Sequence, residues 1–238
     1  MKTVKSADDF LKQSAAGFSM TNVFKSLSQA AVVTIEISVA SMALAMALGL
    51  TIAICRLYGP PPLKLFAVVW VEFFRGIPVL LLLYVLYFGL PTILQTLGLG
   101  MAFAPSNILV AIIAFGLNYS AYEAEIYRAG ITAVPLGQWE AAASLGMSKK
   151  MTFKRIILPQ ATRIILPPVT NDFVALFKDT SVASAIAVVE LTKQYQMLAK
   201  SSLRYMEIGL ATAILYLVMS IPLGYLARRL EARWGKSL

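Results

Sequence analysis

The 238 residues of the chain are 58% hydrophobic and only 14% charged, whereas soluble domains are about half apolar and a quarter charged. This composition excludes an ordinary soluble domain and predicts a chain surrounded by lipid. One cysteine and no histidine exclude a disulfide framework, histidine-based catalysis and the usual zinc sites. The net charge of +9 comes from basic residues at the ends of apolar runs, so we interpret it as membrane topology rather than nucleic-acid binding.

The N-terminal segment, residues 1–27, is mixed and polar. It lacks the basic start, apolar centre and small-residue cleavage site of a signal peptide. We predict a short amphipathic helix on the extracytoplasmic surface, followed by a transmembrane domain at 28–238.

Five apolar stretches are predicted to cross the membrane, because a span needs about 20 predominantly apolar residues. They are 30–54, 65–90, 106–127, 161–177 and 206–226. Pro91 is expected to end the second span, since proline cannot continue a helix. The apolar piece 182–189 is too short to cross alone, and it either extends the fourth span or forms a re-entrant turn. The predicted fold class is therefore an all-α membrane protein with five transmembrane helices.

Lysine and arginine are concentrated in alternate connections of this arrangement. The 56–64 turn, the 128–160 interval and the C-terminal tail are much richer in them than the N-terminus, the 92–105 connection and the 190–204 loop. Cytoplasmic loops carry such an excess. We expect an extracytoplasmic N-terminus and a cytoplasmic C-terminus.

The long polar loop between spans 3 and 4, about 135–160, predicts a helix, a glycine turn and a second helix. The helix former QWEAAASL at 138–145 is followed by Gly146, which suits the left-handed position after a helix. Ser148 is a candidate cap for the next helix, which Pro159 is expected to end. The small side chains of the first helix let a partner approach closely, while Trp139 and Leu145 supply apolar anchors. We favour docking over the alternative of an amphipathic linker on the membrane.

The segment GQWEAAASLGMSKKMTFKRIILPQA at 137–161 resembles the EAA loop of permease subunits in bacterial ATP-binding-cassette importers. FFRGIPVLLLLYVLYFGLP at 73–91, AYEAEIYRAGI at 121–131 and LFKDTSVAS at 176–184 are similar to signatures of the polar amino-acid branch of that family. The resemblance implies that the loop helix is a coupling helix, which docks in a cleft of the ATPase subunit. The implied docking residues are Gly137, Trp139, Glu140, Ala141, Ala142, Leu145 and Gly146.

The resemblance also implies the partners and the location of the chain. They are two ATPase subunits that hold ATP and Mg²⁺, an identical or homologous second permease, an extracytoplasmic binding protein and an amino-acid substrate, at the bacterial inner membrane. Five helices are few to surround a substrate pathway alone, so a second permease subunit is expected to complete it. We expect no cofactor and no metal on the chain itself.

Charged residues within the spans are expected to pair or to meet water, because an isolated charge at the bilayer centre costs about 2.5–3.5 kcal/mol on insertion scales. Glu72 with Arg75, and Glu125 with Arg128, have the i,i+3 spacing of structural ion pairs. The adjacent prolines at 167 and 168 free backbone groups inside the fourth span. This makes the fourth span the expected lining of a pathway.

The candidate substrate-binding residues are Asn171, Asp172 and Asp179. Seven residues separate the two acids, which is about 20° short of two turns, so they share a face if the helix continues past Phe177. Asp179 has a general alternative role, in pairing with Lys178 or capping the helix end. A carboxylate deep in a span predicts a cationic amino acid as substrate, with another polar amino acid, or a buried acid bonded to a neighbouring helix, as alternatives.

Other functional classes fit the sequence less well. An enzyme needs a reacting constellation, and Gly235-Lys236-Ser237 has Leu230 where a phosphate loop requires glycine. A secondary carrier or channel typically shows inverted repeats, and we find no convincing repeat. A purely structural membrane protein has no use for polar residues inside its spans. The sequence therefore predicts a non-catalytic permease subunit of an ATP-driven amino-acid importer, with the secondary carrier or channel as the alternative.

Overall fold

A computed structural model describes residues 19–98 and 106–234, and within these ranges the chain is helical. The surface helix is expected in residues 1–27, of which residues 1–18 lie outside the described residues. The helices are α1 (Met20–Tyr58), α2 (Pro61–Gly76), α3 (Val79–Thr96), α4 (Asn107–Thr132), α5 (Leu136–Ser144), α6 (Lys149–Thr152), α7 (Leu158–Asp179), α8 (Leu191–Ser202) and α9 (Tyr205–Trp234).

Helix α1 has 39 residues, which is about 58 Å and longer than the roughly 30 Å hydrocarbon core of a bilayer. The expected boundary between residues 27 and 28 falls inside this helix. Its buried residues recur every three or four positions, from Val23 to Ala53. Its other face is apolar and exposed, for example at Val39 and Leu50, as expected of a helix in lipid.

Helices α1 and α4 approach each other closely at glycines. A Cβ at Gly49 would lie 2.6 Å from the Cβ of Glu123, and one at Gly116 would lie 2.5 Å from Cδ2 of Leu44. Small residues allow such backbone approach between transmembrane helices, where dispersion contacts replace the hydrophobic effect as the driving force.

The second predicted span is broken rather than continuous. Pro78 restricts the preceding residue to extended geometry, and Ile77 has φ −102° and ψ 129°. The chain therefore leaves α2 and starts α3 at Val79, directly after Pro78. Asn118 of α4 stabilises the break, because its Nδ2 donates to the carbonyl oxygens of Phe74 (2.7 Å) and Ile77 (3.4 Å).

Two prolines that are expected to end helices do not end them. A proline removes one N–H and its ring clashes with the carbonyl four residues before it. Each is preceded by a π turn, Val85–Gly89 before Pro91 and Phe153–Ile157 before Pro159. Hydrogen bonds in a π turn join residues five apart, and the widened turn accommodates the proline. The predictions that Pro91 and Pro159 end helices are wrong for this reason.

The apolar piece at 182–189 is joined to the fourth span. A 3-10 helix, Thr180–Ile186, follows α7 directly and ends at Ala187, which has φ 61°. Most of the piece therefore extends the helical run of α7.

The connection into α8 is held by a buried acid. Glu190 accepts hydrogen bonds from the backbone N–H groups of Thr192 (2.8 Å) and Lys193 (2.7 Å), and the Tyr216 hydroxyl of α9 donates to it (3.2 Å). Burial raises the pKa of Glu190, and these hydrogen bonds oppose that rise. The backbone N–H of Leu191 donates to the Thr34 hydroxyl of α1. Helices α1, α8 and α9 are thus tied together at one point.

Three helices in the described ranges are long and apolar enough to cross a membrane, namely α1, α3 and α9 over Tyr205–Arg233. Helices α4 and α7 contain 26 and 22 residues and have the length for a crossing. They carry the polar side chains that form the candidate site.

Candidate functional site

Polar side chains of α4 and α7 meet at the interface between these two helices. The Tyr119 hydroxyl of α4 donates to Oδ2 of Asp179 on α7, at 2.7 Å. The helices are antiparallel, since a Cβ at Gly130 would lie 2.3 Å from Cγ1 of Ile165, and residues later in α4 meet residues earlier in α7. Asp172, two turns before Asp179, therefore lies further along the same interface.

The two predicted acids share one helix, because α7 continues past Phe177 to Asp179. Asp172 is half-buried and Asp179 is exposed apart from its bond to Tyr119. Asp179 makes neither of the alternative contacts: the described residues include no ion pair with Lys178, and its side chain accepts no capping hydrogen bond. Asn171 is exposed and points about 100° around the helix from Asp172.

The two prolines within α7 do not break it, but they leave it short of hydrogen bonds. Proline supplies no N–H, so the carbonyls four residues before Pro167 and Pro168, at Arg163 and Ile164, lack their helical donors. Pro167 is buried and the helix passes through both residues. The backbone of α7 thus offers acceptors in the middle of a helix, as the sequence predicts.

A carboxylate that sequence reasoning missed lies in the same interface. Glu123 of α4 is fully buried, and Asp172 acts on it electrostatically from α7. A signal was present: Tyr119, Glu123 and Tyr127 recur at four-residue intervals, which places all three on one face of a helix.

An ion cluster joins the ends of α1 and α4 nearest the polar loop. Oε2 of Glu125 accepts from Arg128, at 3.0 Å from Nε and 2.7 Å from Nη2, as the i,i+3 spacing predicts. Arg56 of α1 also pairs with Glu125.

Glu72 and Arg75, which are predicted to pair, are both exposed on α2. Among the described residues they form no ion pair with each other, so this prediction is wrong. The guanidinium of Arg75 instead lies 5.3 Å from the ring centroid of Tyr122. A cation over an aromatic face is attracted by the ring quadrupole. An exposed ion pair contributes little to stability, so it does not compete strongly with this contact.

The polar loop forms the helix–glycine–helix unit that its sequence predicts. Helix α5 ends in a Schellman motif, in which the N–H groups of Gly146 and Met147 donate to Ala143 (2.9 Å) and Ala142 (3.0 Å). Gly146 has φ 73°, which a residue with a Cβ rarely adopts. The Ser148 hydroxyl caps α6 by accepting from the N–H of Met151.

The predicted docking residues divide into an outward and an inward set. Gly137, Glu140, Ala141, Leu145 and Gly146 are exposed, and Leu145 is 81% exposed. Ala142 is buried, and Trp139 packs inside the loop against Phe153, with 6.5 Å between ring centroids. Trp139 thus anchors α5 to the start of the fourth span, and Leu145 is the large apolar side chain of the predicted set that is exposed.

The sequence of the chain matches, over residues 20–236, the family described as "Binding-protein-dependent transport system inner membrane component". The chain belongs to this family, and it is therefore a membrane component of a binding-protein-dependent transport system. This membership decides against the secondary carrier or channel.

Individual relatives are similar to this chain over most of their own length. YxeN of Bacillus subtilis, a probable amino-acid permease protein, is 37% identical over 217 residues, which are 91% of this chain and 95% of YxeN. TcyB of the same organism, an L-cystine transport system permease protein, is 37% identical over 201 residues, which are 84% of this chain and 82% of TcyB. A solved "amino acid ABC transporter with histidines" matches with a TM-score of 0.81 at 32% identity, over 90% of this chain and 96% of that chain.

Proposed function

We propose that the chain is the permease subunit of an ATP-driven amino-acid importer, and that its preferred substrates are cationic amino acids. The observation that carries the substrate class is the pair of carboxylates, Asp172 and Asp179, on the side of α7 that faces α4. An ammonium or guanidinium group is the natural partner of such an acid within a membrane. Relatives named for amino acids and for cystine support amino-acid transport, and the structural relative is named with histidines.

Five helices cross the membrane in this proposal: α1, α3, α4, α7 and α9. The N-terminus is then extracytoplasmic, α8 lies outside, and α5 with α6 lies in the cytoplasm together with the C-terminus. The excess of lysine and arginine in the connections that this arrangement puts inside supports it. The transmembrane domain then starts at Met20 rather than at residue 28.

Helix α5 acts as the coupling helix. Its exposed residues, led by Glu140 and Leu145, contact an ATPase subunit, while Trp139 transmits movement of α5 to α7 through the aromatic contact with Phe153. The chain itself catalyses no reaction, and ATP and Mg²⁺ are bound by the ATPase. A second permease subunit and an extracytoplasmic binding protein complete the assembly.

The coupling role is tested by Gly146→Asp and Glu140→Lys in the complex reconstituted in proteoliposomes. A Cβ disfavours the φ of 73° at Gly146, and a reversed charge opposes a docking contact. Both variants are expected to insert normally while ATP-driven uptake is lost or the ATPase no longer copurifies. Wild-type uptake by both variants would remove the docking role.

The substrate class is tested by comparing uptake of arginine or lysine with uptake of glutamine at matched expression. Asp172→Asn and Asp179→Asn keep side-chain size and remove the charge. We expect Asp172→Asn to raise KM for the basic substrates, because an unneutralised cation then enters the membrane interior. Unchanged affinity for arginine in Asp172→Asn contradicts the cation site and leaves the transporter assignment intact.

The topology is tested by single cysteines at Ser201 and Ser237 in a chain whose Cys55 is replaced. An impermeant thiol reagent applied to intact cells is expected to label the first position alone. Labelling of the second position alone means that the orientation is inverted.

A further inference from the structure

Glu123 is a buried carboxylate for which the described residues provide no ion-pair partner. Its side chain is 0% exposed, and neither oxygen accepts a hydrogen bond from any residue that the structure describes. The Tyr127 hydroxyl, one turn further along α4, interacts with the carboxylate but does not reach hydrogen-bonding geometry. Burying a carboxylate without hydrogen bonds or a counter-ion is strongly unfavourable. The residue therefore points to a partner from outside the chain.

A cation is the partner that suits the charge of this site. The charged side chain that acts on Glu123 from the facing helix is Asp172, a second carboxylate, so this neighbour adds to the negative charge. Within the described ranges no group of three His, Cys, Asp or Glu residues is placed to hold a metal ion. Carboxylates without a metal-ligand set suit an organic ammonium or guanidinium.

The register of α4 against α7 places Glu123 between the two acids of α7. The Tyr119–Asp179 bond and the contact of Gly130 with Ile165 fix an antiparallel pairing. Glu123, four residues after Tyr119, then lies at the level of α7 between Asp172 and Asp179. The Cβ of Glu123 also lies against Gly49 of α1, so α1 contributes to the burial of this residue.

We propose that Glu123 is a specificity-determining residue of the translocation pathway, and that it binds the cationic group of the substrate as this group passes between Asp179 and Asp172. The inference rests on the proposed function, because it assumes that the pathway follows the α4–α7 interface. Glu123 is closed off in this conformation, so the cation reaches it when α7 separates from α4. A merely structural role needs the shape of the side chain, whereas this role needs its charge.

The test compares arginine with citrulline, which has nearly the same shape and an uncharged side chain, as inhibitors of labelled arginine uptake by the reconstituted complex. Glu123→Gln keeps the side-chain size. The ratio of the citrulline to the arginine inhibition constant is expected to fall by about tenfold or more, as for the loss of one charge-assisted contact. Glu36→Gln, which removes an exposed carboxylate of α1, is the matched control and is expected to leave the ratio unchanged.

The ratio does not depend on how much complex assembles, so partial misfolding does not obscure the result. If Glu123→Gln fails to assemble, Glu123→Asp is used instead. Aspartate keeps the carboxylate but holds it one methylene further from the substrate, so the ratio of the citrulline to the arginine inhibition constant is again expected to fall. An unchanged ratio in the assembled variant overturns the role of Glu123. Asp172→Asn distinguishes the failure of this inference from the failure of the proposed substrate class. If the ratio of inhibition constants falls in Asp172→Asn and stays unchanged in the Glu123 variant, only the role of Glu123 is refuted. If the wild type shows no preference for arginine over citrulline, the substrate class is refuted.

Discussion

Replacing Gly49 with alanine tests how closely α1 and α4 approach each other. The added Cβ would lie 2.6 Å from Cβ of Glu123, 2.9 Å from the carbonyl oxygen of Ser120 and 3.1 Å from the backbone nitrogen of Ala124. Carbon atoms in ordinary contact are about 3.5–4.0 Å apart. Because all three neighbours belong to the backbone or to its first side-chain carbon, no rotamer change relieves the overlap, and α1 must move by roughly 1 Å.

Overpacking of this kind costs about 1–3 kcal/mol, and the helix gains about 0.5–1 kcal/mol from exchanging glycine for alanine. The net loss is about 0.5–2 kcal/mol, or roughly 1–8 °C in thermal midpoint for a chain of this size. The midpoint is measured on the purified complex by size-exclusion chromatography of heated samples.

The matched control is Gly224→Ala in α9, where the nearest side-chain atom to a new Cβ, Nη1 of Arg228, is at an ordinary 3.6 Å. This variant is expected to be as stable as the wild type or slightly more stable. Equal midpoints for Gly49→Ala and Gly224→Ala refute the close packing of α1 on α4.

Three further substitutions test single contacts, each by the thermal midpoint of the complex. Glu125→Gln leaves two arginines, one of them Arg56, without their shared counter-ion, and is expected to lose about 1–3 kcal/mol. Asn118→Ala removes the donor at the break between α2 and α3 and is expected to lose about 1–2 kcal/mol. Tyr119→Phe removes the bond to Asp179, with an expected loss of about 0.5–1.5 kcal/mol. No change in all three would mean that these contacts do not hold the helices together.

Local signals made the polar loop predictable. Its turn depends on Gly146 and its second helix on the Ser148 cap, and both features act within a few residues of chain. The shared face of Asp172 and Asp179 was predictable in the same way, because helix periodicity alone decides it once the helix continues.

Features that depend on distant residues were not predictable in this way. The partner of Glu125 on α1, Arg56, is 69 residues away, and the Cβ of Glu123 lies against Gly49 of the same helix. The helices continue through Pro91 and Pro159 because a π turn in the preceding residues accommodates each proline. No residue type predicts such a turn from the sequence.

In the proposed function, this chain forms an ATP-driven route for cationic amino acids. The most direct measurement is uptake of labelled arginine by proteoliposomes that contain the chain, its ATPase and its binding protein, with and without ATP. We expect uptake that requires both ATP and the binding protein and that excess lysine inhibits. Uptake at the same rate without ATP, driven by an ion gradient alone, would contradict it.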